Sequence, residues 1–392
     1  MRCIVKAILP IVAILVLLSP FSAAQARTGS FSCPSGQTIQ STLTSGASWS
    51  ICWEARDQEG VVLSDIRYKA PGQMQRRVLG EMSLAQIQRN YDDGAGPEFL
   101  VTATGLGGSN FINLDSTECA GGQLRYSGGK AVLCQTQQDS GFIYKFSTSN
   151  AVSGKALSLV TASQLGSYSY TVQWLFNENG SIEPRVGLSG HLNRTGTDTA
   201  FGWPIQQDGT TGVSFVDNYF WRMDFDLGSD ASNDVVEQIT SSLSADRTRR
   251  SKSISTVTTE AARDFSPEVK RFWRIRDGSE TNGVSAISYE LVLLNYDHQG
   301  TGSNGESWLQ NDVFFTRYKA CERFAADNDT TSGCGWGVES YTSGENINQS
   351  DVVVWNRISY HHLPRDEDDN VIGMRWSGFK LLPRDWHSQN PL

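Results

Sequence analysis

The chain has few side chains of the kinds that carry catalysis, and their spacing narrows the choice further. The histidines are His191, His298, His361, His362 and His387. His361 and His362 are adjacent in a strand-like run, so they point to opposite faces and do not readily chelate one metal. Local hydrogen bonds are expected to satisfy both, while His191, His298 and His387 stand in polar, turn-like surroundings and read as solvated. Cys3 aside, the cysteines are Cys33, Cys52, Cys119, Cys134, Cys321 and Cys334, with no C-x-x-C spacing of the kind a zinc site uses. An even set in an exported chain reads as disulfides. Many pairings are open, and Cys33–Cys52, Cys119–Cys134 and Cys321–Cys334 close the shortest loops. No Ser/His/Asp triad or nucleotide-binding loop is present. Tyrosines remain, above all in residues 166–180, GSYSYTVQWLFNENG. Tyr168, Tyr170, Val172, Trp174 and Phe176 share one face at period two, the pattern of a half-buried strand. Asn179-Gly180 then supplies the positive φ angles of a tight hairpin turn.

The elements that must position these residues read as strands. VVLSDIRYK, ALSLVTAS, YFWRMDFDL, AISYELVLLNY, DVFFTRYK and DVVVWNRISYHHL recur with Gly, Asn, Asp and Ser between them. Helical patterning is poor, and residues 81–90 are the best short candidate. The composition predicts one all-β domain over residues 27–392, a large antiparallel β-sandwich with irregular loops. Residues 1–26 read as a signal peptide: Arg2 and Lys6, an apolar run over 7–18, then Ala24-Gln25-Ala26 as cleavage site. No later run is long enough for a membrane helix, so the mature chain is expected to be soluble and exported. A net charge of −9 argues against non-specific nucleic-acid binding. Arg247, Arg249, Arg250 and Lys252 lie in a Ser/Thr-rich stretch that reads as a solvated loop.

The strand around Tyr168 resembles the cofactor strand of copper-containing amine oxidases, in which the first Tyr of an Asn-Tyr-acid-Tyr motif becomes topaquinone. The likeness lies at Tyr168, Tyr170, Trp174, Phe176, Gly180 and Ile182, with Ser167 and Ser169 in place of the Asn and the acid. WEARDQEGVVLSDIRYK, RRVLGEMSLAQI, TRYKACERF, DVVVWNRISYHHLPRDED and WSGFKLLPRDW resemble further parts of that family's catalytic domain in order. The resemblance covers the catalytic domain alone, and the smaller N-terminal domains common in the family are expected to be absent. The resemblance implies the catalytic-domain fold, a disulfide at Cys119 and Cys134, and a homodimer built on broad β faces and exchanged hairpin arms.

The resemblance also says which positions the chemistry needs. Tyr168 is the quinone-precursor position and Tyr91 matches the tyrosine that anchors the quinone. Leu100 stands at the position of the catalytic Asp, and a Leu neither accepts nor donates a proton. Two of the copper-ligating histidines match Phe215 and Asp217, and the third is placed at Trp376. A peripheral calcium site is implied at Asp224, Asp226 and Asp351 with the main-chain carbonyls of Phe225 and Val352, oxygen donors that suit a hard cation. The expectation is a secreted protein without copper or topaquinone, retained for binding or structure, with a small amine or other extracellular molecule as ligand. The alternative is a divergent primary-amine oxidase that deaminates amines oxidatively, releasing aldehyde, ammonia and hydrogen peroxide from a rewritten site.

Overall fold

A computed structural model describes residues 31–194, 198–205, 209–294 and 306–392. The signal-peptide reading of residues 1–26 and His298 lie outside these. The described chain is an antiparallel β-sandwich of two large sheets. One sheet runs Thr38–Thr42, Ser48–Arg56, Gly60–Lys69, Arg76–Tyr91, Phe215–Gly228, Val352–His362, Val313–Arg317 and Ala261–Arg263, and the short Glu98–Phe99 pairs with Arg76–Tyr91. The other runs Arg250–Val257, Val235–Leu243, Phe272–Thr281, Ala286–Leu293, Ile372–Arg384, Ile182–Gly190, Tyr168–Asn177, Ala151–Leu165, Lys130–Lys145 and Gln123–Ser127. Their facing sides fuse into one apolar core holding Trp49, Tyr170, Trp174, Trp221, Trp273 and Phe379. Among the described residues no helix is long and apolar enough to cross a membrane.

Tyr168–Asn177 forms as its period-two pattern requires, with Tyr168, Tyr170, Val172, Trp174 and Phe176 all buried. Its turn differs from the expectation. The hairpin closes over a longer loop, Gly180 alone supplies the positive φ (85°), and the Asn179 side chain accepts from the Ser181 amide. The Gly180 position tolerates no side chain, since a Cβ there would lie 2.6 Å from the Tyr68 ring.

Residues 81–90 are not helical; they belong to the strand Arg76–Tyr91, paired throughout with Phe215–Gly228. Met, Leu, Ala, Gln and Arg are good helix formers, but intrinsic preference is small and tertiary context overrides it. Here the context is a sheet covered on both sides. Its outer face carries a second apolar cluster of Ala85, Phe220, Trp308, Phe314, Tyr341 and Trp355. The basic stretch likewise departs from a plain loop, because Arg250 and Lys252 sit on the exposed edge strand Arg250–Val257. His387 is half-buried with its ring 6.1 Å from that of Tyr68, not solvated, whereas exposed His191 meets the Asn370 carbonyl at 2.6 Å.

Three disulfides are present in the expected local pairs, Cys33–Cys52, Cys119–Cys134 and Cys321–Cys334, with Cα separations of 5.4, 5.6 and 5.9 Å.

Candidate functional site

Three neighbouring strands of the first sheet and one strand of the second bring their inward residues together at one end of the sandwich. Phe215 pairs with Tyr91 on one side and with His362 on the other. Because the pleat alternates faces, Asp217 and Arg89 fall on this same inner side. Tyr168 and Tyr170 descend from the opposite sheet, and the Tyr168 ring meets Phe215 at 5.3 Å.

The centre of this group is the Arg89 guanidinium, 1% exposed. Its Nε donates to Asp217 Oδ1 at 2.7 Å and one Nη to Asp217 Oδ2 at 2.8 Å, a bidentate pairing. The same Nη donates to the Tyr170 hydroxyl at 2.7 Å. Tyr170 and Tyr219 in turn donate to Asp217 Oδ2 at 3.0 and 3.2 Å. The guanidinium carbon lies 3.7 Å from the Tyr168 ring centre and 4.0 Å from that of Phe215, against two aromatic rings set edge to face. Burial works against the charge, but the Asp217 carboxylate outweighs it and holds the Arg89 pKa well above its ordinary value. Burial raises the pKa values of Tyr168, Tyr170 and Tyr219, although Arg89 opposes it in each. The Tyr168 hydroxyl is enclosed next to that of Tyr91 without a well-formed hydrogen bond.

His362 completes the group. Its ring lies 5.1 Å from that of Phe215, Nδ1 meets the Tyr360 hydroxyl at 3.2 Å, and Nε2 stands 3.5 Å from Asp368. Burial pushes its pKa down to about 4 despite Asp368, so the imidazole is neutral at neutral pH. His361 points the other way, to Asp92 at 2.9 Å.

The positions singled out from sequence therefore divide. Tyr168, Tyr91, Phe215 and Asp217 converge. Trp376 does not: it lies on the outer face of Ile372–Arg384, 37% exposed, with the Arg185 guanidinium 4.4 Å from its ring. His362 brings an imidazole to this group instead, and the pairing of its strand with Phe215 is the feature that reveals it. Arg89 had no signal in the sequence. Leu100 opens the short helical turn Leu100–Thr104, half-buried at the core's edge.

The residues at this centre do not fit copper. Copper takes imidazole-type donors; His362 is a single imidazole whose Nδ1 meets Tyr360, Phe215 offers none, and both oxygens of Asp217 are engaged by a cation and by tyrosines. A metal ion would also be held beside the Arg89 positive charge. Elsewhere, Asp224, Asp226 and Asp351 bring carboxylate oxygens within 4.8 Å of one another. Gly80 makes room for them, since a Cβ there would lie 2.5 Å from Asp226 Oδ2 and 2.9 Å from Asp224 Oδ2. Phe225 and Val352 are register partners beside them. Near the Leu100 turn, a cleft of about 580 Å³ is lined by Thr102, Phe324, Asp327, Asp329 and Trp336.

A profile of the copper amine oxidase enzyme domain matches residues 38–392. The primary amine oxidase of Arthrobacter sp. (strain P1) is 25% identical, over 95% of this chain and 62% of its own length. The copper amine oxidase-like protein cao2 of Schizosaccharomyces pombe is 22% identical, over 85% of this chain and 47% of its own. Among solved structures, a copper-containing benzylamine oxidase from Hansenula polymorpha superposes with a TM-score of 0.76 at 17% identity, covering 98% of this chain and 64% of that one. An amine oxidase of Aspergillus nidulans gives 0.73 at 20% identity, covering 88% and 52%. The chain thus spans less than two thirds of these relatives.

Proposed function

Since the chain belongs to the copper amine oxidase family, its residues 38–392 matching the enzyme domain, we propose that it is a member retained for binding or structure and not for copper–quinone oxidation. The observation that carries this reading is the Arg89 guanidinium, paired with Asp217 and lying against the Tyr168 and Phe215 rings. A fixed organic cation thus lies beside Phe215 and Asp217, the two positions matched to copper ligands by the resemblance. The Leu100 side chain at the base position adds to it, since loss of a general base forfeits about 10²–10⁴-fold in rate.

The disulfides support an exported protein. The cleft beside the Leu100 turn suits a small cationic amine, with Asp327 and Asp329 for its charge and Phe324 and Trp336 for its face. Asp224, Asp226 and Asp351, with the carbonyls of Phe225 and Val352, would hold one hard cation such as calcium.

The test is to incubate the purified protein with copper in air and measure the mass of the Tyr168 peptide, the metal content and the visible spectrum. An unmodified Tyr168 is expected. Amine-dependent peroxide, or a quinone mass at Tyr168, abolished by Tyr168→Phe would overturn the reading in favour of a divergent amine oxidase.

A further inference from the structure

The carboxylate triad has a neighbour that a single cation does not account for. Asp234 is fully buried, with neither carboxylate oxygen hydrogen-bonded. Its main chain exchanges hydrogen bonds with Ser350 at 3.1 and 3.3 Å, which sets it beside Asp351. It stands outside the set whose oxygens all lie within 4.8 Å of one another, so it is not a further ligand of the same ion. Asp277, also fully buried, lies one step past the Val235–Arg276 register pair, which sets it beside Asp234 across the two strands. Its Oδ1 accepts from the amides of Ser279 and Glu280 at 2.6 and 2.5 Å, while its Oδ2 is buried without a partner. The Asn233 side chain donates to Asp277 Oδ1 at 3.4 Å and leaves its own oxygen buried and unpaired.

Gly228 shapes this space. It has a φ of +69°, and a Cβ there would lie 2.8 Å from Asp277 Oδ2 and 2.7 Å from Glu280 Oε1. Unpaired carboxylate oxygens in a fully buried chamber are costly unless a cation satisfies them. Arg76 reaches Glu280 at 3.2 Å and Arg77 reaches Asp226 at 3.2 Å. Among the described residues no side chain donates to Asp234, and both its carboxylate oxygens remain to be satisfied.

We propose that Asp234 and Asp277, with the Asn233 side-chain oxygen, bind a second hard divalent cation beside the one held by Asp224, Asp226 and Asp351. The donors are all oxygen, two carboxylates and an amide carbonyl, and this favours calcium over a transition metal. The second site rests on the reading of the triad as a cation site, since the two would neutralise one shared acidic chamber.

The experiment is calcium titration of the chelator-stripped full chain, followed by calorimetry and native mass spectrometry. Two calcium ions per chain are expected. Asp234→Asn is expected to bind one, and Asp351→Asn to weaken the other. One ion in the unsubstituted chain would overturn the second site alone, and none would overturn both. Two ions still bound by Asp234→Asn would overturn the assignment to Asp234. Should that variant fail to fold, the count in the unsubstituted chain decides.

Discussion

Without the Arg89 guanidinium, the Asp217 carboxylate would be left buried with only the Tyr170 and Tyr219 hydroxyls to hold it. Breaking a buried pair by removing one partner costs about 3–5 kcal/mol, whereas replacing both with apolar groups is often neutral. Arg89→Met is therefore expected to destabilise the protein by about that amount, and Arg89→Met with Asp217→Leu to recover most of it. Denaturant unfolding of the two variants measures this, and a double variant no more stable than the single one would contradict it. A second buried charge acts through pH. Burial pushes the Glu322 carboxyl up to about 7, against the Lys319 ammonium 3.4 Å away. Its folded value exceeds its unfolded one, so its contribution is fully present below about 4.5. That contribution is lost as pH rises through 7. The stability of the native chain minus that of Glu322→Gln should thus fall between pH 4.5 and 8. Thermal unfolding over that range checks the sign.

At the scale of elements, the cover over the outer face of the first sheet depends on one staple. The Cys321–Cys334 bridge closes a separation of 13 residues, and the segment within and after it carries Ala325, Ala326, Val338 and Tyr341 onto Phe220 and Trp355. The Ala325 amide donates to the Ala85 carbonyl at 3.3 Å, and the Gln86 side chain donates to the Ala326 carbonyl at 3.0 Å. A loop of this length stabilises by about 3 kcal/mol in the chain-entropy model. Replacing both cysteines with Ala should cost about that much and raise amide exchange in residues 321–341 before the inner core. Uniform loss of protection across both sheets would refute a local role. The same cover explains what the sequence concealed. Alternation made Tyr168–Asn177 readable because one of its faces meets the core. Arg76–Tyr91 is buried on both faces, so no alternation marks it, and its good helix formers misdirect. The site was legible only where a position carries its own signal: Phe215 and Asp217 could be counted from Arg222. Arg89 and His362 join them through strand pairing, and pairing register between segments more than a hundred residues apart leaves no local trace. Trp376 lies apart for the same reason, since successive residues of a strand take opposite faces and only the pairing decides which face position 376 takes.

At the scale of the whole molecule, the second sheet ends in a hairpin arm whose outer strand is exposed. Val235–Leu243 and Arg250–Val257 pair with each other, yet residues 250–256 are exposed throughout. Leu243 and Ile254 are 43% and 44% exposed there. A free edge strand invites a further chain, and Arg250 and Lys252 on it oppose indiscriminate pairing. With Arg247 and Arg249 at the turn, the arm is basic on a chain whose net charge is −9. Opposite charges favour its docking on a second copy of the same acidic protein. We propose a homodimer in which each arm reaches over its partner, an isologous pairing of the commonest symmetry. Light scattering at micromolar concentration should give the dimer mass. Arg249→Glu with Lys252→Glu should shift it towards monomer while the chain stays folded, because neither side chain is buried, with the unfolding midpoint falling only by the lost association. High salt should weaken the association in the native chain and not in the variant, since screening acts only on the attraction that the substitution removes. A monomer mass for the native chain at low salt would contradict the arm's role.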